Sequence, residues 1–168
     1  MVTPFTADGE LDHEGAAELA RWLVAQGNEA LVLSGTTGEA ACLTDEEQIA
    51  LWRTVRAAVD VPLIAGSGTN DTRHAAELTS AAAGAGMDAV LIVTPYYNRP
   101  SQAGIEAHFH YVCAATELPA IMYDIPVRTG RKIGTDLIVR MAKEIPNVVG
   151  LKDTAGDPGA TSRVIAEA

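Results

Sequence analysis

The chain has 168 residues, 48% of them hydrophobic and only 5% aromatic, which reads as globular material with a core of Ala, Val, Leu and Ile rather than as disorder. Twelve basic residues against 22 acidic ones leave a net charge of −10, which opposes binding to nucleic acid or anionic lipid, and no stretch reaches the roughly 18 apolar residues of a membrane helix. Cys42 and Cys113 stand far apart with no paired spacing, which with a start that is neither basic nor long and apolar predicts a reducing cytoplasm.

The segment Val2-Thr3-Pro4 reads as the tail of a strand, and a helix is predicted over about 12–25. A short apolar run, 30–33, then leads into Ser34-Gly35-Thr36-Thr37-Gly38-Glu39. The glycines permit a tight turn that aims backbone N–H groups and the Thr36 and Thr37 hydroxyls at one point, a nest suited to a carboxylate. A plain strand-to-helix connection uses the same residues. Thr44-Asp45-Glu46-Glu47 predicts a helix start in which Thr44 caps and Glu47 closes a capping box.

The run 61–65 is the next strand and 71–85 the next helix. Between them, Ala65 to Asp71 begins like a dinucleotide loop but has Asp71 where the third glycine belongs, so that reading is rejected. The run 89–94 ends in Tyr96-Tyr97-Asn98-Arg99-Pro100, where adjacent tyrosines must point to different sides; one can enter a site while the other packs. A helix over 101–116 follows, then a strand over 119–123 ending in Tyr123. The segment Tyr123-Asp124-Ile125-Pro126-Val127-Arg128-Thr129-Gly130 offers a phenol and, five residues on, a guanidinium able to grip a carboxylate through two bonds, or simply a surface charge.

A helix over 135–144 precedes the run Val148-Val149-Gly150-Leu151, which ends at Lys152, and a last helix is predicted over 158–168. Lys152 could pair with Asp153 at a rim, or act as a nucleophile. Attack on a carbonyl needs the neutral amine, while free lysine titrates near pH 10.4, so burial or neighbouring cations must favour the uncharged form. A barrel mouth is expected to provide that burial, and a nearby phenol can move protons as the carbinolamine dehydrates to an imine. The histidines predict no metal site: His108 and His110 are two apart on a helix and diverge, and His13 and His74 are isolated.

Strand ends at Pro4, Gly35, Gly66, Pro95, Asp124 and Lys152 are spaced by 31, 31, 29, 29 and 28 residues. A repeated strand–helix unit of even length predicts an α/β fold, a (β/α)8 TIM barrel rather than a doubly wound sheet. Such a barrel runs to about 250 residues. The chain is therefore expected to hold about the first six units of one catalytic domain over residues 1–168, with its first strand clipped and its last units absent. Unpaired edges and an unfilled interior are the expected result.

The motifs GTTGE, TPYYNRP, YDIPVRTG and GLKD, in this order and at barrel spacing, resemble the pyruvate-dependent class I aldolase family. Within it they are most similar to members that condense pyruvate with L-aspartate-4-semialdehyde on the diaminopimelate route to lysine. The resemblance implies catalytic roles for Lys152 (Schiff base with pyruvate), Tyr123 (proton transfer), and Thr36 and Tyr97, which join Tyr123 in a hydroxyl relay. It implies that Thr37, with the backbone of the Gly35–Thr36 turn, holds the pyruvate carboxylate and that Arg128 receives that of the semialdehyde. It further implies no metal or organic cofactor, and a homotetramer built from dimers, since the tyrosine at the Tyr97 position reaches across a subunit interface. Alternatives on the same scaffold are N-acetylneuraminate lyase or a 2-keto-3-deoxy-aldonate aldolase, and, from another class, a keto-acid binding domain without turnover.

Overall fold

The computed structural model describes residues 1–168. Five strands, β1 (Leu31–Leu33), β2 (Leu63–Gly66), β3 (Ala89–Val93), β4 (Ala120–Asp124) and β5 (Val148–Asp153), form one parallel sheet in the order β1-β2-β3-β4-β5. The connections are α1 (His13–Ala25) ahead of β1, then α2 (Asp45–Ala58), α3 (Thr72–Gly84), α4 (Gln102–Cys113), a one-turn α5 (Pro126–Thr129), α6 (Thr135–Glu144) and finally α7 (Pro158–Glu167). Sequential neighbours in a parallel sheet with helical crossovers are the arc of a barrel.

Local chemistry explains where the helices begin. The Thr44 hydroxyl accepts from the Glu47 N–H at 3.2 Å while the Glu47 carboxylate accepts from the Thr44 N–H at 2.7 Å, the reciprocal box expected from the sequence. Asp12, Asp71, Ser101 and Asp157 cap α1, α3, α4 and α7 with side-chain oxygens. Asp71, which spoiled the dinucleotide pattern, is thus a helix cap accepting from the Arg73 and His74 N–H groups.

The sheet divides the apolar residues into two sets. Leu33, Leu63, Ala65, Val90, Ile92, Ala120 and Met122 face the helices and are fully buried with Trp52, Phe109 and Met141. Val32, Ile64, Leu91, Val93, Ile121, Tyr123 and Ile125 face the concave side and form a second cluster. Several of them are only half-buried, because an arc leaves its concave side open.

The first strand does not form as expected. Phe5 makes only an isolated antiparallel bridge with Leu11, and Val2–Pro4 lie outside the sheet. The segment is held instead by the Met1 nitrogen donating to the Val32 carbonyl at 2.7 Å and the Thr3 hydroxyl donating to the Gly38 carbonyl at 2.6 Å. These are single hydrogen bonds rather than a ladder, so the arc has five strands, not six.

Between α3 and α4, His108 is buried with its Nδ1 2.9 Å from the Thr72 hydroxyl and its Nε2 without a partner. Burial pushes its pKa down to about 4. The unfolded chain takes up a proton near pH 6.5 that the folded chain refuses, so this site's contribution to stability is complete above pH 6.5 and is lost as pH falls toward 4, by up to about 3 kcal/mol. Urea unfolding of the protein and of His108→Leu at pH 7 and pH 4.5 tests this. The substitution is expected to flatten the acid limb; an unchanged pH dependence overturns the assignment.

Candidate active site

The turn after β1 is built by close backbone approach. Ser34 takes a left-handed φ of 44°, Thr36–Gly38 form one 3-10 turn, and Glu39 closes it at φ 56°. A fully buried Trp52 donates its indole N–H to the Ser34 hydroxyl at 2.8 Å, fastening the turn to α2. A Cβ on Gly66 would lie 2.3 Å from the Ser34 carbonyl oxygen, and one on Gly68 would lie 2.4 Å from the Val93 nitrogen. Only glycine permits these contacts. The first N–H groups of the 3-10 turn, those of Thr36 and Thr37, are free of helical partners, as at any helix start.

Beyond the strand ends lies a cavity of about 570 Å³ whose lining includes Gly35, Thr36, Tyr96, Tyr123 and Arg128, with Leu91, Val93 and Ile125 as its apolar floor. Tyr123 is buried at the end of β4. Arg128 is exposed on α5, which opens with Pro126 at its first position and closes on Gly130 at φ 71°. Arg128 lines the cavity, and neither it nor Arg99 and Arg131, which are joined by a hydrogen bond from the Arg131 Nε to the Arg99 carbonyl, has a carboxylate within salt-bridge distance, a local cationic feature on an acidic chain. An anionic substrate is drawn to such a patch.

The last strand carries a feature that spacing alone did not reveal. Ala120 pairs with Val148, but Ile121 pairs with Gly150, so Val149 is an extra residue and the strand bulges there. After the bulge, Tyr123 stands opposite Lys152 and Asp124 opposite Asp153. Paired residues in a parallel ladder share a face, so Lys152 joins Tyr123 on the concave side. Its Nζ lies 4.1 Å from the centre of the Tyr123 ring, a cation–π contact when the amine is charged.

Four of the residues singled out from the sequence, Gly35, Thr36, Tyr123 and Arg128, line the cavity together; Thr37, Tyr97 and Lys152 do not. Lys152 is exposed rather than buried, because β5 is the outermost strand and nothing flanks it on the far side. The shielding expected of a barrel mouth is therefore not supplied by these five strands. Tyr97 is 89% exposed at a left-handed φ of 69°, directed away from the cavity, while its neighbour Tyr96 takes the inward place. The structure also groups Glu106, His110 and Glu144 on the outer side of α4 and α6, their ligand atoms within 4.8 Å of one another, although Arg140 already engages Glu106 at 2.7 Å.

The phenol, the threonine turn and the rim arginine thus line one cavity, while the Lys152 amine lies over the phenol's ring outside that lining. Residues 1–168 match the model of the dihydrodipicolinate synthetase family. The chain belongs to that family. It is 53% identical over 168 residues to 4-hydroxy-tetrahydrodipicolinate synthase of Acidothermus cellulolyticus, which covers 99% of this chain and 54% of that protein. Among solved structures of the family, dihydrodipicolinate synthase from Bacillus anthracis superimposes with a TM-score of 0.96 at 43% identity, covering 99% of this chain and 57% of that one. A chloride-inhibited dihydrodipicolinate synthase from Acinetobacter baumannii complexed with pyruvate gives a TM-score of 0.94 at 43% identity, with the same coverage. The chain thus spans about half the length of the family members it matches, and its sheet is part of their barrel. No helix is long and apolar enough to cross a membrane.

Proposed function

We propose that the chain carries the Schiff-base centre of a 4-hydroxy-tetrahydrodipicolinate synthase, which condenses pyruvate with L-aspartate-4-semialdehyde. The observation that carries this reading is the Lys152 Nζ lying 4.1 Å from the Tyr123 ring centre at neighbouring strand ends. Lys152 attacks the ketone of pyruvate, and Tyr123 passes protons as the carbinolamine loses water. The imine is then the electron sink: loss of a methyl proton gives an enamine that attacks the semialdehyde carbon. Cyclisation releases the lysine. Gly35, Thr36 and Thr37 hold the pyruvate carboxylate, Thr36 relays protons with Tyr123, and the further strands of the family's barrel shield the amine.

Tyr97 completes the relay from a neighbouring subunit, in a homotetramer built of dimers; its exposure in the single chain supports a role outward rather than inward. Two cysteines with no disulfide support a cytoplasmic setting. The pyruvate-bound Acinetobacter relative supports the choice of keto acid.

Arg128 receives the semialdehyde carboxylate. Arg128→Ala in the full-length chain is expected to raise the semialdehyde KM by roughly 10-fold to 100-fold, the loss of a charge-assisted pair, while pyruvate imine formation changes little. Equal losses in both steps remove the role. Turnover of aspartate semialdehyde, measured beside cleavage of N-acetylneuraminate, tests the substrate; activity only on the sugar acid overturns the reading.

A further inference from the structure

Asp124 is the one fully buried carboxylate of the chain, and the chemistry above makes no use of it. It ends β4 one residue beyond Tyr123, so strand alternation turns it to the helix-facing side. Its Oδ1 accepts from the Ile133 N–H at 3.2 Å; its Oδ2 makes no hydrogen bond and has the Lys132 Nζ at 3.8 Å. Its backbone carbonyl accepts from both the N–H and the hydroxyl of Thr154, each at 2.9 Å. One residue therefore grips two segments. On one side is the stretch that follows α5, the carrier of Arg128; on the other is the residue two places beyond Lys152.

A buried carboxylate is costly unless its partners need it. Burial pushes the Asp124 carboxyl upward, and Asp153, its register partner on β5, pushes the same way against the pull of the Ile133 N–H and Lys132. The position thus asks for an acceptor oxygen of this shape more than for a negative charge.

We propose that Asp124 is a positioning residue that, by clamping Ile133 and Thr154 to the end of β4, sets where Arg128 and Lys152 stand relative to the Tyr123 phenol. The proposal rests on the aldolase reading of the site. In the full-length chain, kinetics are measured per active site, with sites counted as the pyruvate adduct trapped by borohydride. Asp124→Ala removes the acceptor for the Ile133 N–H and leaves the backbone carbonyl on Thr154, so it is expected to raise the semialdehyde KM, on the order of 10²-fold in kcat/KM, the scale of a misplacement of about 1 Å. Asp124→Asn, which keeps the acceptor, is expected to restore it. Thr154→Val, which loosens only the β5 side, is expected to lower kcat and spare that KM.

A merely structural role predicts a lower Tm and fewer sites but unchanged kcat and KM per site, and that result overturns the proposal. So does an Asn variant as impaired as the Ala variant. If Asp124→Ala does not fold, Thr154→Val with unaltered kcat per site is the overturning result. Wild-type protein that forms no adduct refutes the aldolase reading instead. Amide exchange at Ile133 then still decides the side-chain clamp, which is rejected if Asp124→Asn loses that protection.

Discussion

Lys152→Ala in the full-length chain will leave no pyruvate adduct after borohydride treatment and will lower turnover by about 10³-fold or more, the scale expected when a covalent catalyst loses its nucleophile. Residues 1–168 hold three lysines, Lys132, Lys143 and Lys152, and peptide mapping after intact mass tells them apart. Lys132 is committed to Asp124 at 3.8 Å, and Lys143 lies in the last turn of α6, away from the strand ends. Lys152 alone stands beside a phenol. Replacing that phenol in Tyr123→Phe is expected to slow adduct formation on the order of 10²-fold to 10⁴-fold without abolishing it, since proton transfer is lost but the amine remains. An adduct mapped to Lys132 or Lys143 refutes the assignment.

Inserting one alanine between Leu151 and Lys152 will cut the rate of adduct formation on the order of 10²-fold or more, although every native side chain is kept. The bulge shifts the β4–β5 register by one residue between Ala120 and Ile121. It sets Tyr123 opposite Lys152; the insertion puts the added alanine there and moves the lysine one place on, opposite Asp124, and a one-residue slip sends a side chain to the opposite face. Lys152 would then point among the helices. Val149 is 66% exposed, so Val149→Ala should retain the adduct at nearly the original rate; this separates the backbone count from the side chain. An insertion variant that traps pyruvate at this lysine as quickly as the parent shows that strand register is not what aims it.

Much of the fold was legible because its signals are local. Caps such as Thr44 and Asp71 satisfy backbone groups within three residues of themselves, and an unbroken apolar run such as Ala89–Val93 marks a strand without reference to its partners. The candidate residues could be read for the same reason: each sits at the end of such a run. What escaped depends on distant partners. The bulge at Val149 is defined by β4, not by its own neighbours in sequence. The outward turn of Tyr97 follows from a left-handed backbone in a loop, and the exposure of Lys152 from the lack of a sixth strand beside β5. Asp124 escaped because the hydrogen-bond donors that give it meaning, Ile133 and Thr154, lie 9 and 30 residues away.

The contacts of Gly66 with the Ser34 carbonyl and of Gly68 with Val93 fix how the inner end of the cavity can evolve. Main chain meets main chain there, so any added methyl forces strands apart instead of reshaping the floor. Any change of the cavity to suit a bulkier or smaller ligand has to act where there is room. The natural place is the one-turn helix at the entrance, where Val127 is 86% exposed beside Arg128 and can change size without disturbing the sheet.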